Sequence, residues 1–139
     1  MKVLVIVIND RLYGFELKKT RRIVPDISYT PIPFVPDIFK GLAMVMGEIT
    51  IIVSLNKILG IEDFEGNEEL FLIVKGREND WGFPIHNIYD IVTIEESDLE
   101  ELEDPFVIGD FKIEDKVILL LDTDRIEEHL YESVSNIQK

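Results

Sequence analysis

The sequence contains no cysteine, so disulfide bonds, thiolate metal sites and cysteine nucleophiles are all excluded. It has only two histidines, His86 and His129, which leaves little material for a histidine-based catalytic or metal site. Basic residues are also few: 14 Lys and Arg stand against 28 Asp and Glu, for a formal net charge of -14. Such a charge repels phosphate backbones and anionic lipid surfaces. We therefore expect no nucleic-acid partner and no direct insertion into a membrane.

Long hydrophobic runs are missing as well. The N-terminal run, residues 3–8, is six residues long and meets Asn9-Asp10-Arg11 without a small-residue cleavage site, so it predicts a buried strand rather than a signal peptide. No other stretch approaches the roughly 20 apolar residues that a spanning helix requires. The sequence therefore predicts a soluble, cytoplasmic protein.

What the sequence does contain is a weak internal repeat in one domain of 139 residues. Tyr13-Gly14-Phe15 corresponds to Trp81-Gly82-Phe83 at an offset of 68 residues, and the same offset places Gly41 on Gly109 without a gap. We interpret this as a duplication, with residues 1 to about 70 forming a first barrel and residues 71–139 forming a second barrel within a single domain.

Each copy has the pattern of a small β-barrel. Apolar β-branched runs separated by polar turns predict about five short strands per copy, and therefore a mainly β fold. In the first copy the closing hairpin is predicted to turn at Gly47-Glu48. Short capped turns accompany the strands, one of them with Ser97 as cap and Glu100 three residues later. A C-terminal helix is predicted from about Asp124 to Ser133, with Asp124 as N-cap and Glu127 completing a capping box.

Catalytic constellations are hard to find in this chain. No Gly-rich phosphate loop is present, and no serine stands in a nucleophile elbow. Asp122, Asp124 and His129 leave open a small enzyme or a metal site, although helix capping accounts for the two aspartates. We expect no catalytic residue, no metal and no cofactor, and so no enzyme.

Two surface features have alternative readings. Met44 and Met46 alternate with small and branched residues before Gly47, so their thioethers either fill the core or line an adaptable contact face. Arg21 and Arg22 lie close to Lys18 and Lys19 in the only concentrated basic patch. That patch is either a solvated face or a docking place for an acidic partner.

Several motifs, taken in order along the chain, resemble the CheW-like domain of bacterial and archaeal chemotaxis. They are Tyr13-Gly14-Phe15-Glu16-Leu17, Pro36-Asp37-Ile38-Phe39-Lys40-Gly41, the hairpin from Met46 to Leu55, Leu59-Gly60-Ile61 and the run from Val117 to Asp122. The resemblance covers nearly the whole chain and implies two SH3-like five-stranded barrels related by a pseudo-twofold axis.

The resemblance also implies a function. Members of this family act as non-catalytic adaptors that couple the cytoplasmic tips of methyl-accepting chemoreceptors to the histidine kinase CheA, which carries a homologous regulatory domain. The alternative is a regulatory or structural protein of this fold that serves another signalling or motility system and binds a partner other than a kinase.

The chain departs from the family where partners are expected to bind. The family usually has Asn, an apolar residue, Arg and Gly before the hairpin turn, and here those places hold Met44-Val45-Met46-Gly47. Arg22 stands where the family has an acidic residue. By this resemblance we predict a divergent docking site made of Arg22, Ile23, Val45, Met46 and Gly47.

Overall fold

The computed structural model describes residues 1–137, which form ten β-strands, two α-helices and two short 3-10 turns. The strands are β1 Lys2–Ile8, β2 Arg11–Glu16, β3 Thr20–Pro25, β4 Phe39–Val45, β5 Glu48–Val53, β6 Leu70–Val74, β7 Asp80–Ile85, β8 Asn87–Thr93, β9 Val107–Ile113 and β10 Lys116–Leu121. The helices are α1 Leu55–Ile58 and α2 Thr123–Ile137, and the 3-10 turns are Leu17–Lys19 and Glu96–Asp98. The predicted mainly β class is confirmed.

The strands form two five-stranded sheets. Sheet A has the order β8-β1-β2-β10-β9, and sheet B has the order β3-β6-β7-β5-β4. Neighbours are antiparallel except for one parallel pair in each sheet, β2 with β10 and β5 with β7. In the part of the chain described, the two edge strands of a sheet are not paired with each other. Each sheet is therefore an open barrel of the SH3-like kind.

The predicted boundary between the barrels needs correction. Sheet B is built from residues 20–85, whereas sheet A joins residues 2–16 to residues 87–121. The hairpin β1–β2 thus pairs with strands of the second half, and the 3-10 turn Leu17–Lys19 carries the chain from one sheet to the other. Hydrophobic periodicity predicts which face of a strand is buried, but not which neighbour pairs with its edge. The repeat alone therefore gave no sign of this exchange.

Strand pairing in the two sheets follows the same register at an offset of 68 residues. In the opening hairpins, Val5 faces Gly14 as Ile73 faces Gly82. The parallel pairs repeat as well, because Leu119 lies opposite Tyr13 as Ile51 lies opposite Trp81. The closing hairpins β4–β5 and β9–β10 occupy equivalent residues throughout, and both contain an irregularity near their start.

The core is shared between the sheets. Leu4 and Ile6 on one face of β1 belong to a cluster that includes Phe15 of sheet A, Phe83 of sheet B and Leu130 of α2. The opposite face of β1 is also buried, in a second cluster within sheet A. Burial on both faces explains why β1 reads as a continuous apolar run instead of alternating. The shared cluster means that neither sheet has a complete core of its own.

Two equivalent glycines allow a close crossing of the chain in each sheet. A Cβ on Gly41 would lie 2.6 Å from the carbonyl oxygen of Thr30, and a Cβ on Gly109 would lie 2.7 Å from that of Glu100. At these points a single bridge forms, Thr30 with Leu42 in one sheet and Glu100 with Asp110 in the other. The glycines registered by the repeat are therefore required by packing.

The capping residues differ from those predicted. Helix α2 begins at Thr123, and its cap is Asp122, whose Oδ1 accepts the backbone N–H of Arg125 at 3.2 Å. Asp124 instead lies in the first turn. The predicted turn at Ser97 is a 3-10 turn capped by Glu95 and Asp98. Consecutive acidic residues offer several caps of similar quality, so only the path of the chain decides which one is used.

Candidate docking surface

A tight turn at Met46 and Gly47 joins β4 to β5, one residue earlier than predicted. Both residues have positive φ, 51° at Met46 and 83° at Gly47, as a type I′ hairpin turn requires. Glycine adopts this conformation freely, whereas a residue with a side chain costs about 1 kcal/mol there. Met46 is therefore held at the hairpin tip in an unfavourable backbone conformation.

Side chains along β4 alternate strictly between the core and the solvent. Ala43 and Val45 are buried, while Leu42, Met44 and Met46 are 43%, 67% and 76% exposed. Ile49, which faces Met44 on β5, is 47% exposed. The reading of the two methionines as core-filling residues is therefore wrong. We call Leu42, Met44, Met46 and Ile49 the hairpin patch; contiguous exposed apolar surface of this kind is typical of interaction sites.

The structure brings some of the predicted docking residues together and separates others. Arg22 on the edge strand β3 reaches across to the turn after β4, where its Nη1 contacts the Sδ of Met46. Gly47 lies beside them at the exposed tip. Val45 is buried, and Ile23 is half-buried against the main core, so these two chiefly support the surface from behind.

Within the basic patch, Arg22 differs from its three neighbours. Lys18 pairs with Glu16 at 3.5 Å, Lys19 with Asp124 at 3.2 Å, and Arg21 with Asp80 at 2.8 Å. In residues 1–137, no carboxylate lies within 4.0 Å of the Arg22 guanidinium. Arg22 therefore places an exposed positive charge beside the hairpin patch that no ion pair within that range neutralises; Glu48, which follows the turn, is exposed as well.

The second hairpin provides an internal comparison. Asp110, Lys112, Glu114 and Val117 of β9–β10 occupy the places of Leu42, Met44, Met46 and Ile49. Three of the four apolar side chains of the patch are thus replaced by charged ones on an equivalent backbone. The fold itself does not require apolar residues at the solvent-facing positions of this hairpin.

The residues of the rival metal or catalytic site have other contacts. Asp122 caps α2, Asp124 pairs with Lys19, and the ring of His129 packs edge-on against Phe106 at 5.1 Å. Within residues 1–137, no group of three or more His, Asp or Glu side chains is arranged to hold a metal ion. The observed contacts give these residues structural roles.

Glu127 is a structural residue that the sequence reading did not identify as such. The sequence predicts a capping role for it, yet its side chain is buried and its Oε2 accepts the indole N–H of Trp81 at 2.6 Å and the backbone N–H of Arg77 at 2.9 Å. The available signal was its spacing: three and four residues later come Leu130 and Tyr131, on the same face of the helix.

A second polar network ties the linker of residues 59–69 to β4. Lys40 pairs with Asp63 at 3.2 Å and with Glu68 at 3.0 Å. Burial lowers the pKa of Lys40, but both carboxylates raise it by more, so its pKa lies above the usual value. Burial raises the pKa of Asp63, and hydrogen bonds from Ser54, the Phe64 N–H and Lys40 outweigh this effect. The pKa of Asp63 is therefore lowered.

His86 holds the middle of the same linker, at Phe64 and Glu65. Its Nδ1 accepts the Asn9 N–H at 2.8 Å, and its Nε2 lies 2.7 Å from the Glu65 carbonyl oxygen. Because Nδ1 accepts a hydrogen, Nε2 carries the ring hydrogen and donates it to Glu65. The ring stacks on Phe64 with 4.0 Å between centroids. The contacts of His86 are thus structural ones.

Comparison with known proteins agrees with this architecture. A chemotaxis protein CheW of Thermotoga maritima is 25% identical over 134 residues, which cover 93% of this chain and 89% of that protein. A chemotaxis protein CheW of Helicobacter pylori is 24% identical and covers 89% and 78% of the two chains. The crystal structure of the scaffolding protein TtCheW from Thermoanaerobacter tengcongensis has a TM-score of 0.78 and 25% identity, over 87% of this chain and 88% of that one.

None of the helices in residues 1–137 is both long and apolar enough to cross a membrane. The model of the CheW-like domain family matches residues 2–130, which include all ten strands and the first half of α2. This chain therefore belongs to the CheW-like domain family.

Proposed function

We propose that this chain is a cytoplasmic scaffold that couples chemoreceptors to a CheA-type histidine kinase and has no catalytic activity of its own. The observation that carries the proposal is the match of the CheW-like family model to residues 2–130. The similar solved structure is that of a protein described as a scaffold, and the similar sequences are those of proteins named for chemotaxis. Both kinds of likeness extend over most of the chain.

The contacts of the titratable groups support a non-catalytic role. Glu127 holds α2, Asp63 and Lys40 hold the linker, and His86 bonds to two backbone groups. Catalytic acids and bases need access to a substrate within hydrogen-bond reach. These groups are instead occupied by contacts within the chain, as structural residues are.

Docking in this proposal uses the exposed hairpin tip. Arg22, Met46 and Gly47 supply the contact surface, and Ile23 and Val45 hold the two strands beneath it. Side chains of an apolar patch that are exposed in the free chain gain most when a partner covers them, and a neighbouring cation adds orientation. The homologous regulatory domain of the kinase and the receptor tip are the partners to test.

The departures at two positions favour an alternative partner. Met46 replaces the arginine and Arg22 replaces the acidic residue that the family usually has, and the two side chains are in contact. Where the family usually has an arginine and an acidic residue, this chain has a thioether and a cation. The surface available to a receptor therefore differs in charge. The alternative is a protein of this fold in another signalling or motility system, with a partner that is not a kinase.

The test is a binding assay with purified components. The chain is immobilised and challenged with the kinase's homologous regulatory domain and with a receptor cytoplasmic fragment from the same genome. We expect both to be retained, and we expect Met46→Glu to weaken retention of one of them by about tenfold. The matched control is Glu114→Gln, at the equivalent place in the second hairpin, which should leave retention unchanged.

The outcomes separate the two candidates. The alternative is correct if two results are obtained together. The wild-type chain retains neither the kinase domain nor the receptor fragment, and it binds a protein of another system that the Met46→Glu variant does not bind. If both fragments bind the wild type and Met46→Glu equally well, the scaffold proposal stands but the docking site is elsewhere.

A further inference from the structure

The outer edge of β4 exposes backbone hydrogen-bonding groups. Leu42 exchanges two hydrogen bonds of 2.9 Å with Thr30, so its N–H and C=O point away from β5. Alternate residues of an antiparallel strand point the same way. The N–H and C=O of Met44 therefore also point outward, and in residues 1–137 no backbone group bonds to them. The edge is covered at Leu42 and exposed at Met44.

The equivalent edge in sheet A is protected by charge. Asp110 exchanges the same pair of bonds with Glu100, at 2.9 Å each, and the next outward residue is the exposed Lys112. A lysine on an edge strand discourages another strand from pairing there. In β4 that position is Met44, which offers a flexible apolar side chain and no charge. Of these two equivalent edges, that of β9 is thus protected and that of β4 is not.

The charges of Arg22 and of the whole chain indicate what kind of protein can bind at the exposed edge of β4. Arg22, next to Met46, is exposed and lacks a carboxylate partner within residues 1–137, whereas the chain as a whole carries -14. A second copy would bring another -14 to the same edge, and this repulsion opposes self-association. A carboxylate placed opposite Arg22 by a different protein meets a positive group at this site.

We propose that the edge of β4 receives an extended, strand-like segment of a partner protein that carries apolar side chains and a carboxylate. Its backbone pairs with the N–H and C=O of Met44, its apolar side chains cover the hairpin patch, and its carboxylate pairs with Arg22. This mode of binding is strand addition, in which backbone bonds give affinity and flanking side chains give specificity. The inference rests on the proposed function in that it names how the scaffold holds one of its partners.

The test uses the full chain, labelled for NMR, and two short end-capped peptides of alternating valine and threonine. One peptide carries a glutamate near its end and its twin carries a lysine there. We expect the glutamate peptide to shift the Met44 amide and to slow its hydrogen exchange. It should bind about threefold more tightly than its twin, an advantage that Arg22→Gln removes.

Two variants locate the contact. Met44→Pro removes the outward N–H without breaking a bond of the β4–β5 ladder, and proline is tolerated on edge strands. We expect it to bind the glutamate peptide about tenfold more weakly, whereas Lys112→Pro, the equivalent change in β9, should have no effect. Met44→Lys, which copies the protected edge, should also lose binding and does not depend on how well a proline is accommodated.

The inference is overturned if the peptide binds Met44→Lys as tightly as wild type, if its shifts fall on β9, or if the wild-type chain dimerises through β4. Retention of the kinase domain and receptor fragment by folded Met44→Lys, without loss, would also overturn it. That result would still agree with the scaffold proposal. Failure of the wild-type chain to retain either fragment would contradict the scaffold proposal itself.

Discussion

The indole nitrogen of Trp81 donates a hydrogen bond to the carboxylate of Glu127, with 2.6 Å between Nε1 and Oε2. The same oxygen accepts the backbone N–H of Arg77 at 2.9 Å. Since Glu127 is only 6% exposed, neither donor can replace this acceptor with water at no cost. One carboxylate therefore fixes α2 to the turn between β6 and β7.

Replacing Glu127 with alanine should lower the free energy of unfolding by about 2 kcal/mol, because the buried Trp81 N–H and the partly buried Arg77 N–H lose their shared acceptor. Urea unfolding at pH 7 measures the change. Glu128→Ala, one residue along on the exposed face of α2, is the control and should stay within about 0.5 kcal/mol of wild type. Equal stability of the two variants would show that α2 is held by its apolar contacts alone.

Replacing Met46 with asparagine should stabilise the chain by about 0.5–1 kcal/mol. Asparagine tolerates positive φ, and Asn-Gly is the preferred pair for a type I′ turn. The thermal midpoint should rise while retention of the proposed partner falls. Such opposite changes would show that Met46 is kept for contact at some cost in stability.

The control for that prediction is Glu48→Asn, beside the turn but outside its two central positions. It should leave the thermal midpoint nearly unchanged. A lower midpoint in Met46→Asn would mean that the Arg22–Met46 contact contributes more to stability than the backbone conformation costs.

The lowered pKa of Asp63 predicts a dependence of stability on pH. In the folded state this carboxylate stays ionised at pH values below about 3.9, the pKa of an aspartate in the unfolded chain. Its contribution to the free energy of unfolding is therefore fully present above about pH 5. It is lost as pH falls through the folded-state pKa. The difference in unfolding free energy between wild type and Asp63→Asn should therefore become smaller as the pH is lowered below 5. A constant difference in urea unfolding at several pH values would contradict the assignment.

Replacing His86 with alanine should loosen the linker of residues 59–69 without unfolding the sheets. The imidazole bonds to Asn9 and Glu65 and stacks on Phe64, and all three contacts are lost. Amide exchange at Asn9 and Glu65 should become faster, while exchange in β1 stays slow. His129→Ala is the matched control, because His129 does not touch the linker. The Glu65 N–H also donates to Oδ1 of Asn9 at 2.9 Å. Unchanged exchange at Glu65 would show that this bond holds the linker without the ring.

Much of the fold could be predicted because the sequence repeats. The offset of 68 residues that aligns Gly14 with Gly82 also aligns the register of every strand pair, so strand positions in one half informed the other. The exposure of Met44 was less accessible. The two-residue periodicity of a strand predicts that Met44 and Met46 share one face, but it does not predict which face is exposed to solvent.

Long-range contacts account for most of what the sequence did not show. Arg22 lies on the edge strand β3 and Met46 directly after the opposite edge strand β4, and the two meet because the sheet curls. The pairing of β1 with β8 joins residues as far apart as Lys2 and Thr93, and no local preference favours it. Glu127 looked like a capping residue because helix starts favour acids, and only tertiary packing turns it inward.

In the sequence, all strands of sheet B lie between the two parts of sheet A, so the two sheets are completed in a fixed order during synthesis. Residues 20–85 emerge as one uninterrupted stretch, so sheet B has all its strands when β7 leaves the ribosome. The hairpin β1–β2, although made first, has to wait for β8, β9 and β10. Its apolar residues are the earliest exposed and among the last covered. A nascent chain stalled near residue 86 therefore has every strand of sheet B but only part of the shared core, and it exposes apolar residues of β1 and β2, where we expect a chaperone to bind.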